Sequence, residues 1–110
     1  MNPIIEQHRD AIRALALRYG VRRLEVFGSV YTPEFDPDTS DIDVLVEYPP
    51  GYDYGPWLSR FHELQRELSR VLNRQVDLVT TRALRDPWFS REAAKTRRVI
   101  YDASDVSQVA

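Results

Sequence analysis

The sequence contains no cysteine, so disulfide bonds and thiolate metal sites are excluded. Lysine is nearly absent as well, because Lys95 is the only one and arginines spread along the chain carry most of the positive charge. With a net charge of -2, the chain lacks the basic footprint of a nucleic-acid-binding protein. Charged residues interrupt the N-terminal apolar positions, which argues against a signal peptide or a membrane span there. We therefore expect a cytoplasmic protein that binds neither membranes nor nucleic acid directly.

The chain is also short. Its 110 residues can bury one core but cannot form a catalytic domain together with a separate substrate domain. We expect one domain over residues 1–102, followed by a flexible tail over residues 103–110. A large substrate would then have to be met at the protein surface.

Apolar residues at helical spacing predict three helices. Cap-then-proline signals at Asn2-Pro3 and Asp86-Pro87 open the first and the last, and Gly20 closes the first. The predicted bounds are about 3–19, 56–72 and 87–96. Four side chains within them are predicted to face the core: Trp57, Trp88, Phe89 and Ala93.

Four short segments between these helices have the character of strands, about 21–27, 42–48, 75–80 and 99–101. In the second, Ile42, Val44 and Val46 share one face because side chains alternate along a strand. Prolines and acidic residues predict an irregular loop over 30–39. The order of elements predicts an α/β (α+β) fold, with a small mixed β-sheet of about four strands packed by helices.

Three aspartates interrupt these hydrophobic strands. Asp41 and Asp43 are separated by one residue, so on a strand they point the same way, and Asp77 lies within the third strand. Burying an unpaired carboxylate costs several kcal/mol on the usual scale, so neighbouring carboxylates favour a bound cation. Mg²⁺ prefers such oxygen ligands and is commonly held by one or two carboxylates together with substrate phosphates. The pattern predicts a phosphoryl-transfer site with one or two metal ions.

Gly28-Ser29 follows the first strand and has the chemistry of a phosphate contact. Glycine allows the backbone to approach a phosphate closely, and a serine hydroxyl with adjacent N–H groups can donate hydrogen bonds to its oxygens. Taken alone, a Gly-Ser pair usually marks only a turn. Its value here comes from the order: strand, Gly-Ser, loop, Ser40-Asp41-Ile42-Asp43, helix, and a strand that carries Asp77.

This ordered set resembles the minimal nucleotidyltransferase (MNT) branch of the DNA polymerase β-like nucleotidyltransferase superfamily. Three segments carry the resemblance: Leu24 to Ser29, Ser40 to Val46 and Val76 to Val79. The resemblance implies the nucleotidyltransferase fold, with Mg²⁺ as cofactor and ATP as co-substrate. It implies three catalytic and metal-binding carboxylates, Asp41, Asp43 and Asp77, the last acting as base or metal ligand for the attacking hydroxyl. It implies three nucleotide-binding residues, Gly28, Ser29 and Ser40.

The resemblance also implies a biological role. MNT proteins typically act as antitoxins beside a HEPN-domain ribonuclease toxin, and members of the family transfer AMP from ATP to a tyrosine hydroxyl of that toxin. We therefore expect a hetero-oligomer with a HEPN toxin. The toxin would supply the acceptor hydroxyl, because a chain this short has no second domain to hold a separate acceptor.

The loop after Gly28-Ser29 departs from the family pattern. The family usually continues with a small residue, an arginine and a glycine, whereas this chain has Val30-Tyr31-Thr32-Pro33 and then acidic residues. Negative charge there opposes triphosphate binding, and Arg22 or Arg23 could compensate for it. Two alternatives therefore stay open: an inactive or weak antitoxin that acts by binding alone, and a nucleotidyltransferase for small molecules.

Overall fold

The structure, a computed structural model, describes residues 3–28, 36 and 41–105. The helices are α1 (Pro3–Gln7), α2 (Arg9–Tyr19), α3 (Ser59–Leu72) and α4 (Pro87–Ala94), and the strands are β1 (Arg23–Phe27), β2 (Ile42–Glu47), β3 (Val76–Thr80) and β4 (Arg98–Asp102). Short 3₁₀ turns precede α3 and α4. The predicted fold class and order of elements are confirmed.

The four strands form one mixed sheet in the order β3-β2-β1-β4. Strand β1 is antiparallel to both β2 and β4, whereas β2 and β3 are parallel. Parallel neighbours need a crossover, and α3 provides it between β2 and β3. The sheet therefore brings the start of β2 beside the start of β3 and the end of β1.

The two faces of the sheet are buried to different extents. The face that carries Ile42, Val44 and Val46 packs against α1, α2 and α3, and these three side chains are at most 1% exposed. We call it the core face, and its predicted anchoring role is confirmed. The opposite face carries Phe27 and Leu45, which pack in a smaller cluster with Ala93 of α4. We call it the α4 face.

The predicted first helix is interrupted at His8. The N–H of His8 donates to the carbonyl oxygen of Ile5 at 3.1 Å, and its ring Nδ1 lies 2.8 Å from the carbonyl oxygen of Ile4. The ring thus contacts the carbonyl that the backbone N–H of His8 would bond in a continuous α-helix. Histidine is not a helix breaker, so the sequence alone gives no signal of this kink.

Both tryptophans lie outside the core, contrary to the prediction. Trp57 is 94% exposed, and it occupies a left-handed backbone conformation before α3, with φ of 55°. Trp88 is 64% exposed in the first turn of α4, whereas Ala93 is buried and Phe89 packs edge-on against Phe27 at 5.5 Å between ring centroids. Phe89 and Ala93 are four residues apart and share one face of α4, which leaves the adjacent Trp88 on another face.

Within the described residues, no helix is both long and apolar enough to span a membrane. After β4, residues 103–105 form a helical turn, and the rest of the predicted tail, residues 106–110, lies outside the described residues.

A buried ion pair joins β1 to the segment before β4. Glu25 is only 6% exposed and is the one buried charged residue in the described part of the chain. Arg97 donates to both of its carboxylate oxygens, from Nε to Oε1 at 3.1 Å and from Nη2 to Oε2 at 2.7 Å. Hydrogen bonding to Glu25 raises the pKa of Arg97 above its usual value. This forked geometry satisfies the buried carboxylate and fixes the chain after α4 on the α4 face.

We expect Arg97→Ala to lower the free energy of unfolding by about 2 kcal/mol, because it leaves the Glu25 carboxylate buried without its partner. Urea denaturation measures the loss. The matched control is Arg70→Ala, which removes an exposed pair with Glu67 on α3 and should cost less than about 0.5 kcal/mol. Equal losses in the two variants would contradict the importance of the buried pair.

Candidate active site

The sheet brings two of the predicted carboxylates together. Asp43 and Asp77 are directly paired residues of the parallel β2–β3 ladder. Their neighbours along each strand, Ile42, Val44 and Val76, are buried on the core face, so both carboxylates lie on the α4 face. Asp77 is exposed and Asp43 is partly buried.

Asp41 lies immediately before β2, which begins at Ile42 as predicted, and its side chain is exposed. It is still close enough to Asp43 for their charges to interact. The cluster therefore consists of two carboxylates fixed by the ladder and a third at the entrance of β2.

The cluster raises the pKa of one member. Burial raises the pKa of Asp43 from 3.8 to about 6, and the negative charges of Asp77 and Asp41 add to the effect. A bound cation would reverse both causes, because it neutralises the repulsion and replaces the lost hydration. The site thus has the electrostatics of a cation site on a sheet.

The protein alone does not complete a metal centre in the described residues, where no group of three His, Asp or Glu side chains could hold an ion. Mg²⁺ seldom requires such a cage, because it keeps several waters and takes carboxylates together with substrate phosphates. Asp43 and Asp77 supply oxygen ligands of that type. The donor set fits a hard ion that arrives with a phosphate-bearing substrate.

Gly28 lies against this cluster. It has φ of 82°, and a Cβ atom added to it would stand 2.5 Å from Oδ2 of Asp43. Both the backbone conformation and the lack of space require glycine at this position. The N–H of Gly28 donates to Oγ1 of Thr96 at 2.7 Å.

Thr96 is the residue that sequence reasoning missed. It lies 68 residues after Gly28, in the turn between α4 and β4, and belongs to no motif. Only the antiparallel pairing of β4 with β1 brings it to the end of β1. No signal in a single sequence would have identified it.

Two further predicted site residues, Ser29 and Ser40, lie outside the described residues, as does most of the acidic loop between them. Their nucleotide-binding role stays a prediction. Asp36 is the one described position of that loop, and it is exposed.

Arg22 and Arg23, which could compensate for the acidic loop, each form an ion pair at the far end of β1 from Gly28. They lie at the start of β1 and pair with Glu47 at 3.4 Å and Asp102 at 3.2 Å, respectively. Gly28 follows the other end of β1. Five residues of extended chain separate the two ends by about 17 Å. Arg97 is on the appropriate side, but Glu25 already binds it.

Comparison with known proteins gives a family match over nearly the whole chain. The Nucleotidyltransferase domain family matches residues 5–101. Protein adenylyltransferase MntA of Thermococcus cleftensis is 36% identical over 100 residues, which are 89% of this chain and 88% of that protein.

Solved structures share the fold. A structure assigned to a minimal nucleotidyltransferase has a TM-score of 0.66 and 31% identity, and the match covers 86% of this chain and 90% of that one. A chain from the complex of tri-AMPylated Shewanella oneidensis HEPN toxin with MNT antitoxin has a TM-score of 0.57, covering 96% of this chain and 78% of that one. At 19% identity, the second likeness concerns the fold alone.

Gly28→Ala tests the close approach of Gly28 to Asp43. The new Cβ would displace the Asp43 carboxylate as well as strain the backbone, and we expect a loss of about 2–3 kcal/mol in the free energy of unfolding. Gly51→Ala is the matched control, because Gly51 also has positive φ, 73°, but nothing within 4 Å of an added Cβ. Thermal and urea unfolding should show that Gly28→Ala is clearly less stable than Gly51→Ala. Equal losses of stability would show that the contact with Asp43 is unimportant.

Asp43→Asn should stabilise the metal-free protein at neutral pH. The raised pKa means that the folded chain binds the Asp43 proton more tightly than the unfolded chain, so stability falls as pH rises from about 4 to about 6. At pH 8, with a chelator present, the variant should gain about 1 kcal/mol, an amount discounted for solvent screening. The gain should vanish near pH 4 in urea unfolding. A pH-independent difference would contradict this origin.

Proposed function

The chain belongs to the nucleotidyltransferase domain family, and we propose that it is an Mg²⁺-dependent antitoxin that transfers AMP from ATP to a hydroxyl of a HEPN toxin. The acceptor we propose is a tyrosine. One observation carries the chemistry: Asp43 and Asp77 are adjacent in register on an open face, with Asp41 before them and Gly28 beside them.

The carboxylates have distinct roles in this proposal. Asp41 and Asp43 would hold Mg²⁺ together with the substrate phosphates, whose charge the bound ion would neutralise, and Asp77 would act as the base or as a further metal ligand. Asp43 is partly buried and backed by the core face, so it orients its oxygens with little freedom. Gly28 leaves the space above Asp43 clear, and with Ser29 and Ser40 it would contact the triphosphate.

The reaction exchanges a phosphoanhydride linkage for a phosphoester linkage. The acceptor hydroxyl oxygen bonds to the α-phosphorus of ATP, and the bond from that phosphorus to the oxygen bridging to the β-phosphate breaks. The hydroxyl proton passes to Asp77, whose exposed carboxylate an incoming side chain can reach. Pyrophosphate leaves with the bonding electron pair.

A partner protein suits this site as the source of the hydroxyl. The carboxylates lie on the sparsely covered face of the sheet, and the described chain has no second layer above them to enclose a small acceptor. The names of its relatives support this view, since one is a protein adenylyltransferase and another structure pairs an MNT antitoxin with an AMPylated HEPN toxin.

Neutralisation by binding alone is the second candidate. One observation favours it: the Gly28 N–H, which would otherwise be available to a phosphate, already donates to Thr96. Transfer to a small molecule is a third outcome, which the same labelling experiment distinguishes.

Purified protein incubated with the product of its adjacent gene, Mg²⁺ and α-labelled ATP should give a labelled partner, and we expect that partner to be a HEPN protein. Asp41→Asn and Asp43→Asn should each reduce labelling by at least about 100-fold, because each removes a ligand that stabilises transition-state charge. The control is Asp53→Asn, which removes a carboxylate from the loop after the far end of β2 and should label normally.

Unchanged labelling in Asp41→Asn would refute the metal role. If the double variant of Asp41 and Asp43 still protects cells from the toxin, binding suffices and transfer is not the protective activity. If label appears only on an added small-molecule acceptor, that small molecule and not the toxin is the substrate.

A further inference from the structure

The turn between α4 and β4, residues 95–97, is attached to the sheet by several hydrogen bonds, and its Thr96 and Arg97 are partly buried. The N–H groups of Thr96 and Arg97 both donate to the carbonyl oxygen of Ala93 at 3.0 Å, which folds the chain back tightly after α4. Ala93 itself is buried against the α4 face. The bidentate bond from Arg97 to Glu25 then ties the turn to β1.

These attachments place the Thr96 hydroxyl at the end of β1. Its oxygen accepts the N–H of Gly28 at 2.7 Å, a bond between residues 68 positions apart. Gly28 lies close to the Asp43 carboxylate, since a Cβ atom added to it would stand 2.5 Å from Oδ2. A displacement of the Gly28 peptide would therefore displace Asp43 Oδ2 or open a gap beside it.

We propose that Thr96 is a positioning residue, which fixes the Gly28 turn against the Asp43 carboxylate, and that the Glu25–Arg97 pair holds Thr96 in place. The inference rests on the proposed function for its catalytic consequence, but the contact itself is independent of it. Thr96 does not touch Asp43 in this account. It sets the position of the backbone that does.

The arrangement also explains why a charged pair is buried on this face. An apolar pair would pack α4 equally well, but a forked Arg–carboxylate bond fixes direction as well as distance. Arg97 directly follows Thr96, so its orientation determines where the hydroxyl oxygen lies. Small errors there matter, because a misplacement of about 1 Å can reduce catalysis by about 100-fold.

The experiment compares Thr96→Val, which keeps the branched shape but removes the acceptor oxygen, with Thr96→Ser, which keeps the oxygen. Thr81→Val makes the same chemical change in the turn after β3 and serves as the control. The first measurement is amide hydrogen exchange of Gly28 by NMR, without metal or nucleotide. We expect exchange to accelerate by about tenfold or more in Thr96→Val and to stay near wild type in the other two variants.

The second measurement is AMP transfer to the HEPN partner. Thr96→Val should lower kcat/KM for ATP by roughly tenfold, because the displaced Gly28 turn lies beside Asp43 and would contact the triphosphate. Thr96→Ser should restore the wild-type rate. If the melting temperature falls but kcat/KM, measured well below that temperature, is unchanged, Thr96 has a structural role only. That result would overturn the proposal.

The two hypotheses fail in different ways. If wild type transfers no AMP to any acceptor, the proposed function fails, and binding of Mg²⁺ with a non-hydrolysable ATP analogue then replaces kcat/KM as the readout. Weaker binding in Thr96→Val than in Thr96→Ser would still support the positioning role. Unchanged Gly28 exchange in Thr96→Val, or equal losses in the Val and Ser variants, would overturn it. Should Thr96→Val not fold, Thr96→Ala carries the same comparison.

Discussion

The parallel pairing of β2 with β3 is the constraint on which the site depends. It sets Asp43 beside Asp77, and burial of the alternate residues on the core face keeps the pairing in register. A slip by one residue would move both the apolar stripe and the carboxylate to the wrong faces. The hydrophobic core therefore fixes the carboxylate geometry without contacting any substrate. Crossover helix α3 contributes through Leu64, Leu68 and Leu72, which are all buried in that core.

The α4 face carries charged and strained groups, whereas the core face carries apolar side chains. Among the described residues, α4 and the 3₁₀ turn before it cover this face, which also carries a carboxylate with a raised pKa, a glycine with positive φ and a buried ion pair. Each of these features is less favourable for stability than an apolar side chain of similar size would be. Their concentration at one end of the sheet is typical of a site where geometry and charge matter more than stability.

The sequence predicted most of this arrangement because strands encode their faces locally. Alternation placed Ile42, Val44 and Val46 in the core and Asp77 opposite Val76, and the structure agrees. Local pattern failed where a neighbour distant in sequence decided the outcome. Trp57 matched the helical spacing, yet the backbone before α3 is left-handed and exposes it. Arg22 and Arg23 were close to Gly28 in sequence but lie at the far end of an extended strand.

The sequence by itself determined the family, the order of elements and the identity of the carboxylates, because these follow from short-range spacing and residue chemistry. Only the tertiary structure decided that Asp43 stands beside Asp77 and that Thr96 reaches Gly28. The physical reason is that strand pairing and the buried Glu25–Arg97 bond join residues far apart in the chain. Such contacts have no local pattern from which they could be read.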